Sequence, residues 1–125
     1  MKKILIIEDD EAIRENTAEL LEISNFEVMT AENGKVGFNL AKTFLPDVIL
    51  CDMMMPETDG SAFLKLAKGD KALDGIPLIF FSAGTMPVGI QNNLIKASNG
   101  FLKKPFYKEE LLHTIEGALA REIAV

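Results

Sequence analysis

The sequence predicts an α/β fold, a doubly wound parallel sheet with helices on both faces. Two observations carry this. Short apolar runs alternate with apolar stripes at helical spacing, and the pair recurs five times along the chain. The runs are apolar at every position rather than every second one, as strands covered on both faces are.

Residues 4–7 read as a fully buried strand, held between Lys2-Lys3 and the acidic Glu8-Asp9-Asp10. A helical stripe follows, with Ile13, Thr17, Leu20, Leu21 and Ser24 on one face. Asn25 breaks it, and 26–30 reads as the second strand. The turn signal Glu32-Asn33-Gly34 opens a second helix with Val36, Leu40, Ala41 and Phe44 inward. Pro46 ends that helix, and 48–51 is a third buried strand. A shorter helix over 60–68 turns Phe63, Leu64 and Ala67 inward, and 77–81 is the fourth strand. The stretch 84–99 contains Gly84, Pro87, Gly89, Asn92 and Asn93, a composition poor in helix formers. Residues 101–102 form a short fifth strand stopped by Pro105. The last helix buries Leu111, Leu112, Ile115 and Leu119, with Glu109 and Glu110 in its first turn, where the helix dipole favours them.

The 125 residues suit one domain, and neither an internal repeat nor a linker interrupts them. The last helix runs nearly to Val125, so the expectation is a single domain over 1–125 with no output domain. Met1-Lys2-Lys3 reads as a natural start, although a piece excised from a larger protein would look the same. Net charge is −6, against the basic patch of a nucleic-acid-binding surface, so no nucleic acid is expected among its partners. The first apolar run stops after four residues at Glu8, too short for a signal core or a membrane span. One cysteine cannot form an internal disulfide, which fits a reducing cytoplasm.

In sheets of this kind the crevice lies beyond the carboxyl ends of the strands. Glu8, Asp9 and Asp10 follow strand one and Asp52 follows strand three. Ser82, then Ala83-Gly84, follow strand four, and Lys103-Lys104 follow strand five. Each has an ordinary explanation alone: Asp9 or Asp10 as a helix cap, the serine as a turn residue, the lysine as a solvated charge. Capping explains neither Glu8 nor Asp52. Carboxylates held together repel and raise one another's pKa, a cost that a divalent cation relieves. Hard oxygen ligands without His or Cys suit Mg²⁺ (or Mn²⁺), which keeps several waters and is completed by a phosphate. Lys104 then offers a positive charge and Ser82 a hydroxyl to a phosphoryl group, leaving Asp52 as the nucleophile.

Four motifs stand in order: I-I-E-D-D at 6–10, D-M-M-M-P-E-T-D-G at 52–60, S-A at 82–83 and K-P-F at 104–106. With this spacing the chain, from Lys3 to about Arg121, resembles a receiver domain of two-component response regulators. The resemblance implies a flavodoxin-like (βα)5 fold with strand order 2-1-3-4-5. That order belongs to the family and does not come from the periodicity. It implies a phosphoacceptor at Asp52, metal ligation by Asp9, Asp52 and the backbone carbonyl of Met54, and a water-mediated link from Glu8. Ser82 and Lys104 would contact the phosphoryl group, and Phe101 would be the switch aromatic. A cis peptide at Lys104-Pro105 is a further possibility of the resemblance. The implied donor is a phospho-histidine on a sensor histidine kinase or histidine phosphotransfer protein. The implied output is docking to a downstream protein through the face built from the fourth helix, fifth strand and last helix. A monomer is expected, with a phosphorylation-dependent dimer on that face left open. The chain would be a signalling switch that catalyses only its own phosphorylation and dephosphorylation, with no membrane partner.

Three departures matter. Glu8 stands where Asp is more frequent, and Phe101 lacks a tyrosine hydroxyl. An apolar Met54 beside Gly84 offers no side chain to orient an attacking water, so slow self-dephosphorylation is expected. Two rivals remain: a degenerate receiver serving only as an interaction module, and a haloacid-dehalogenase-like phosphatase. The second needs an acid/base Asp two residues after its nucleophile, where this chain has Met54. Cys51, His113 and the Met53–Met55 run read as packing or surface residues. The weak helix over 84–99 reads as a low-stability element suited to switching.

Overall fold

The computed structural model of the chain describes residues 1–55, 59–82 and 87–123. The elements run β1 (Lys3–Ile7), α1 (Glu11–Ile23), β2 (Glu27–Ala31), α2 (Gly34–Phe44), β3 (Val48–Asp52), α3 (Gly60–Lys68), β4 (Leu78–Ser82), α4 (Val88–Ala97), β5 (Gly100–Lys103) and α5 (Lys108–Ile123). All neighbouring strands are parallel, in the order β2-β1-β3-β4-β5. This is the flavodoxin-like architecture that the resemblance implied.

The sheet separates two apolar layers because alternate strand residues point to opposite faces. Leu5 and Ile7 of β1 join Ile49 and Cys51 of β3 on one face, beneath Ala41 and Phe44 of α2, Phe63 and Ala67 of α3, and Leu94 of α4. Ile4 and Ile6 join Val48 and Leu50 on the other, beneath Ala18 and Leu21 of α1 and Leu111, Ile115 and Ala118 of α5. Full burial of each Val, Leu, Ile or Phe among them contributes about 1.5–3 kcal/mol.

Local signals set the helix ends. Asp10 caps α1, its Oδ1 accepting the Ile13 N–H at 3.0 Å. Asn33 caps α2 through the Val36 N–H at 2.8 Å, and Asp59 caps α3 through the Ala62 N–H at 3.0 Å. α2 stops at Leu45, whose φ of 49° is left-handed, directly before Pro46. α4 does form, but its N-cap is Pro87 and no side chain caps it. The Lys104-Pro105 peptide is cis.

Three details differ from the sequence reading. Val36, expected inward, is exposed, and Gly37 faces β1 instead, where a Cβ would lie 2.5 Å from Ile7 Cδ1. Ile13 and Leu20 are only partly buried, while Ala18 joins the core. β2 is an edge strand with two exposed and two half-buried residues, so its apolar signal was the weakest of the first four. The Pro56–Thr58 part of the turn and Ala83-Gly84 lie outside the described residues. No helix among the described residues is long and apolar enough to cross a membrane.

Gly60 locks α3 beneath the strand ends: its N–H donates to the Met53 carbonyl at 2.9 Å. A Cβ there would sit 2.9 Å from Phe80 Cε1 and 3.0 Å from Met53 Cα. Backbone cannot give way as a side-chain end can. Gly60→Ala is therefore expected to lower urea stability by about 1–3 kcal/mol, and an unchanged unfolding midpoint would contradict this packing.

Candidate functional site

The winding direction reverses between β1 and β3, and the site forms where those strands end side by side. β1 delivers Glu8 and Asp9, and β3 delivers Asp52 as its last residue. One carboxylate oxygen from each of Glu8, Asp9 and Asp52 lies within 4.8 Å of the others. Glu8 is 1% exposed and Asp52 5%, whereas Asp9 faces solvent. Such a donor set, all carboxylate with one open side, is of the kind that holds a hard divalent cation.

Lys104 completes the cluster. Its ammonium donates to Glu8 Oε1 and to Asp52 Oδ2, the latter at 3.1 Å. The residue follows β5, two strands away from β3, so its side chain must cross the end of β4. It does so over the Phe81 ring, with Nζ 4.9 Å from the ring centre, and Phe106 supports that ring edge-on at 6.1 Å. The Lys104 N–H donates to the Ser82 carbonyl at 2.8 Å and fixes the starting point of that reach.

The other carboxylate oxygens are also held. Glu8 Oε2 accepts the Asp10 N–H at 3.2 Å, and Asp52 Oδ1 accepts the Met54 N–H at 3.0 Å. Asp10 is thus the helix cap and Asp9 the exposed member of the acidic cluster. Burial pushes the Glu8 carboxyl up to about 8, with Asp52 and then Asp9 adding to the rise and Lys104 opposing it. For Lys104, burial works against the charge, but Glu8 and Asp52 outweigh it and its pKa is raised.

Ser82 ends β4, fully buried, one residue beyond Phe81, the register partner of Asp52. Met54 leaves the strand with its side chain 45% exposed, while Met53 and Met55 are buried, as packing residues are. Phe101 is not part of the carboxylate cluster. It sits within β5 opposite Phe80, packed on the layer that includes Leu94 and Ile95 of α4. Cys51 is fully buried with its thiol pushed well up by that burial and then by Asp52, which agrees with a packing role. Two contributors were not read from the sequence. Arg14 donates from its guanidinium to the Glu8 carbonyl at 2.9 Å, tying the end of β1 to α1. The Phe81 ring under Lys104 was read only as strand core. Arg14 had a signal, as the lone basic residue of α1, but strand residues such as Phe81 give none.

Residues 4–116 match the response regulator receiver domain family, and the chain belongs to that family. It is 34% identical over 122 residues to the DNA-binding dual master transcriptional regulator RpaA of Synechocystis sp., covering 97% of this chain and 50% of that protein. It is 30% identical over 118 residues to the polar-differentiation response regulator DivK of Brucella anthropi, covering 94% of this chain and 96% of that one. The chemotaxis protein CheY4 of Vibrio cholerae superposes with a TM-score of 0.87 at 30% identity, over 95% of this chain and 99% of that one. The chain spans about half the length of the first curated relatives it matches, and the DivK relative is matched almost end to end. This is a receiver domain of two-component signalling.

A stability prediction follows from Glu8. Its folded pKa lies above its ordinary 4.5, so the folded state keeps a proton that the unfolded state loses. The stability this contributes is complete below about 4.5 and is lost as pH rises through about 8. In EDTA, wild-type protein should lose stability between pH 5 and 9 relative to Glu8→Gln. Parallel urea midpoints for the two proteins across that range would contradict it.

Proposed function

We propose that the domain accepts a phosphoryl group on Asp52 from a phospho-histidine of a sensor histidine kinase or histidine phosphotransfer protein. The observation that carries this reading is the convergence of Glu8, Asp9 and Asp52 within 4.8 Å, with Lys104 bridging two of them. In the transfer, an Asp52 carboxylate oxygen forms a bond to phosphorus as the phosphorus–nitrogen bond breaks, and the electron pair of that bond returns to the imidazole. Little covalent work falls to other groups, so catalysis is positioning and charge neutralisation. Met54 N–H and Lys104 hold Asp52 at the end of its strand. Lys104 would move from the carboxylates toward phosphoryl oxygens, and the Ser82 hydroxyl would donate to another. Asp9, Asp52 and the Met54 carbonyl are the ligands proposed for Mg²⁺ (or Mn²⁺), with Glu8 linked through water. The ion would neutralise the carboxylates and the incoming phosphoryl oxygens.

Phe101, packed against the α4 side of β5, is the proposed switch residue, and α4-β5-α5 the face that signals to a downstream protein target. The bare start of α4 suits it to rearrange. We take the chain as a receiver domain without an output domain in residues 1–125, cytoplasmic like its family, monomeric, with dimerisation on phosphorylation open. The expectation of no nucleic-acid partner is narrowed: the relative RpaA is a DNA-binding regulator about twice this length, so it applies to this domain's own acidic surface.

Incubation with acetyl phosphate and Mg²⁺ should add one phosphoryl mass to the wild type and none to Asp52→Asn, and beryllofluoride should bind only the former. A wild type unchanged in mass and spectrum would instead support a receiver that serves only as an interaction module. The phosphatase rival lacks its acid/base residue, since position 54 is methionine. Because Met54 cannot orient water, the phosphoryl group should be slow to leave. Gly84, the other residue in that expectation, lies outside the described residues. A lifetime as short as those of the fastest chemotaxis regulators would refute this.

A further inference from the structure

The two helix layers carry opposite charge. α2, α3 and α4 contain Lys35, Lys42, Lys65, Lys68 and Lys96 and no carboxylate. On the other side of the sheet, α1 carries Glu11, Glu15, Glu19 and Glu22 against Arg14. All of these lysines and glutamates are exposed. Arg14 forms no ion pair with the glutamates, its guanidinium donating instead to the Glu8 and Asp9 carbonyls. Among the described residues, the ion pairs are Lys42 with Asp70 at 4.0 Å and those of Lys104. Lys65, Lys68 and the four α1 glutamates therefore have no ion-pair partner within the described chain.

The ordinary explanation covers one side only. Lys42, Lys65, Lys68 and Lys96 lie in the last turns of their helices, where the dipole favours cations. α1 breaks the same rule: Glu22 stands in its last turn, which contains no basic residue, and Glu19 stands just before it. Glu11, Glu15 and Glu19 also repeat at four-residue spacing, where like charges cost a helix a few tenths of a kcal/mol per pair. A locally unfavourable stripe calls for a compensating contact elsewhere. Each face also has an exposed apolar residue among its charges, Ile23 (65% exposed) beside Glu22 and Leu66 (41%) between Lys65 and Lys68.

We infer that the lysine edge formed by the last turns of α2 and α3 docks on the acidic stripe and Ile23 of α1 in a second copy of this chain. Lys42 in the last turn of α2 pairs at 4.0 Å with Asp70, which follows the end of α3. The two faces lie on opposite sides of one sheet, so the contact is head to tail and extends into an open stack rather than closing as a symmetric dimer. The net charge of −6 opposes association. At contact distance, however, the facing charges lie well within the ~10 Å Debye length at 0.1 M salt, and the complementary faces prevail. The contact is distinct from the α4-β5-α5 face and independent of phosphorylation, and it replaces the monomer taken above once the chain is concentrated at low salt.

Sedimentation velocity on the unphosphorylated chain tests this with two surface variants, Lys65→Glu/Lys68→Glu and Glu19→Lys/Glu22→Lys. The wild type should associate increasingly with concentration at low salt, and association should fall roughly tenfold or more at several-fold higher salt. Each variant alone should be monomeric at low salt with unchanged circular dichroism. An equimolar mixture should associate again, since the acidic faces of one variant meet the basic faces of the other. Both variants keep a net negative charge, so net attraction cannot produce that recovery. A wild type that stays monomeric at low salt overturns the inference, even if it binds anionic vesicles or duplex DNA. So do variants that associate as the wild type does, or a mixture that fails to recover.

Discussion

Three carboxylates and one ammonium share the end of this sheet, and their unequal charge is the constraint on which the site depends. Glu8 and Asp52 are nearly inaccessible to water, so neither can be solvated as an ordinary carboxylate is. Lys104 contacts both but can offset only one of them. The remainder must be met by a proton, as at the raised pKa of Glu8, or by an added cation. The site is therefore incomplete electrostatically by construction. That condition agrees with the proposed task of receiving a cation and a phosphoryl group together.

Building such a cluster takes rigid support, and the sheet supplies it. β1 and β3 are buried over nearly their whole length and hydrogen-bonded side by side, so Glu8 and Asp52 cannot separate without disrupting both layers. The loop groups are pinned too: Arg14 holds the Glu8 carbonyl, Met54 N–H holds Asp52 Oδ1, and Ser82 anchors the Lys104 backbone. The Phe81 ring then carries the lysine across β4 at a distance where an ammonium over an aromatic face is favoured. Charge repulsion is held in place by apolar packing.

Much of this was legible before folding. A polar residue ending an otherwise apolar strand is visible in sequence, and Glu8, Asp52, Ser82 and Lys104 all have that signature. Residues whose role depends on a neighbour's position were not. Val36 and Gly37 exchange places because a helix's rotation on its sheet is settled by space, and a glycine fits against Ile7 without displacing its side chain. Phe81 acts through Lys104 on another strand and Arg14 through a backbone carbonyl of β1's end, and neither contact leaves a mark on the periodicity.

By itself the sequence determined the kind of fold, the five strand ends and the chemistry available at each. Apolar periodicity and short polar motifs are local properties, and local properties survive in a linear reading. The tertiary structure alone decided which strand ends meet, that Lys104 reaches both buried carboxylates, that Asp10 caps while Asp9 stays beside Asp52, and that Phe101 stands apart from them. It also set the lysine helices and the acidic helix on opposite sides of one sheet. These are matters of distance between residues far apart in the chain, and distance is fixed by the order in which parallel strands pack.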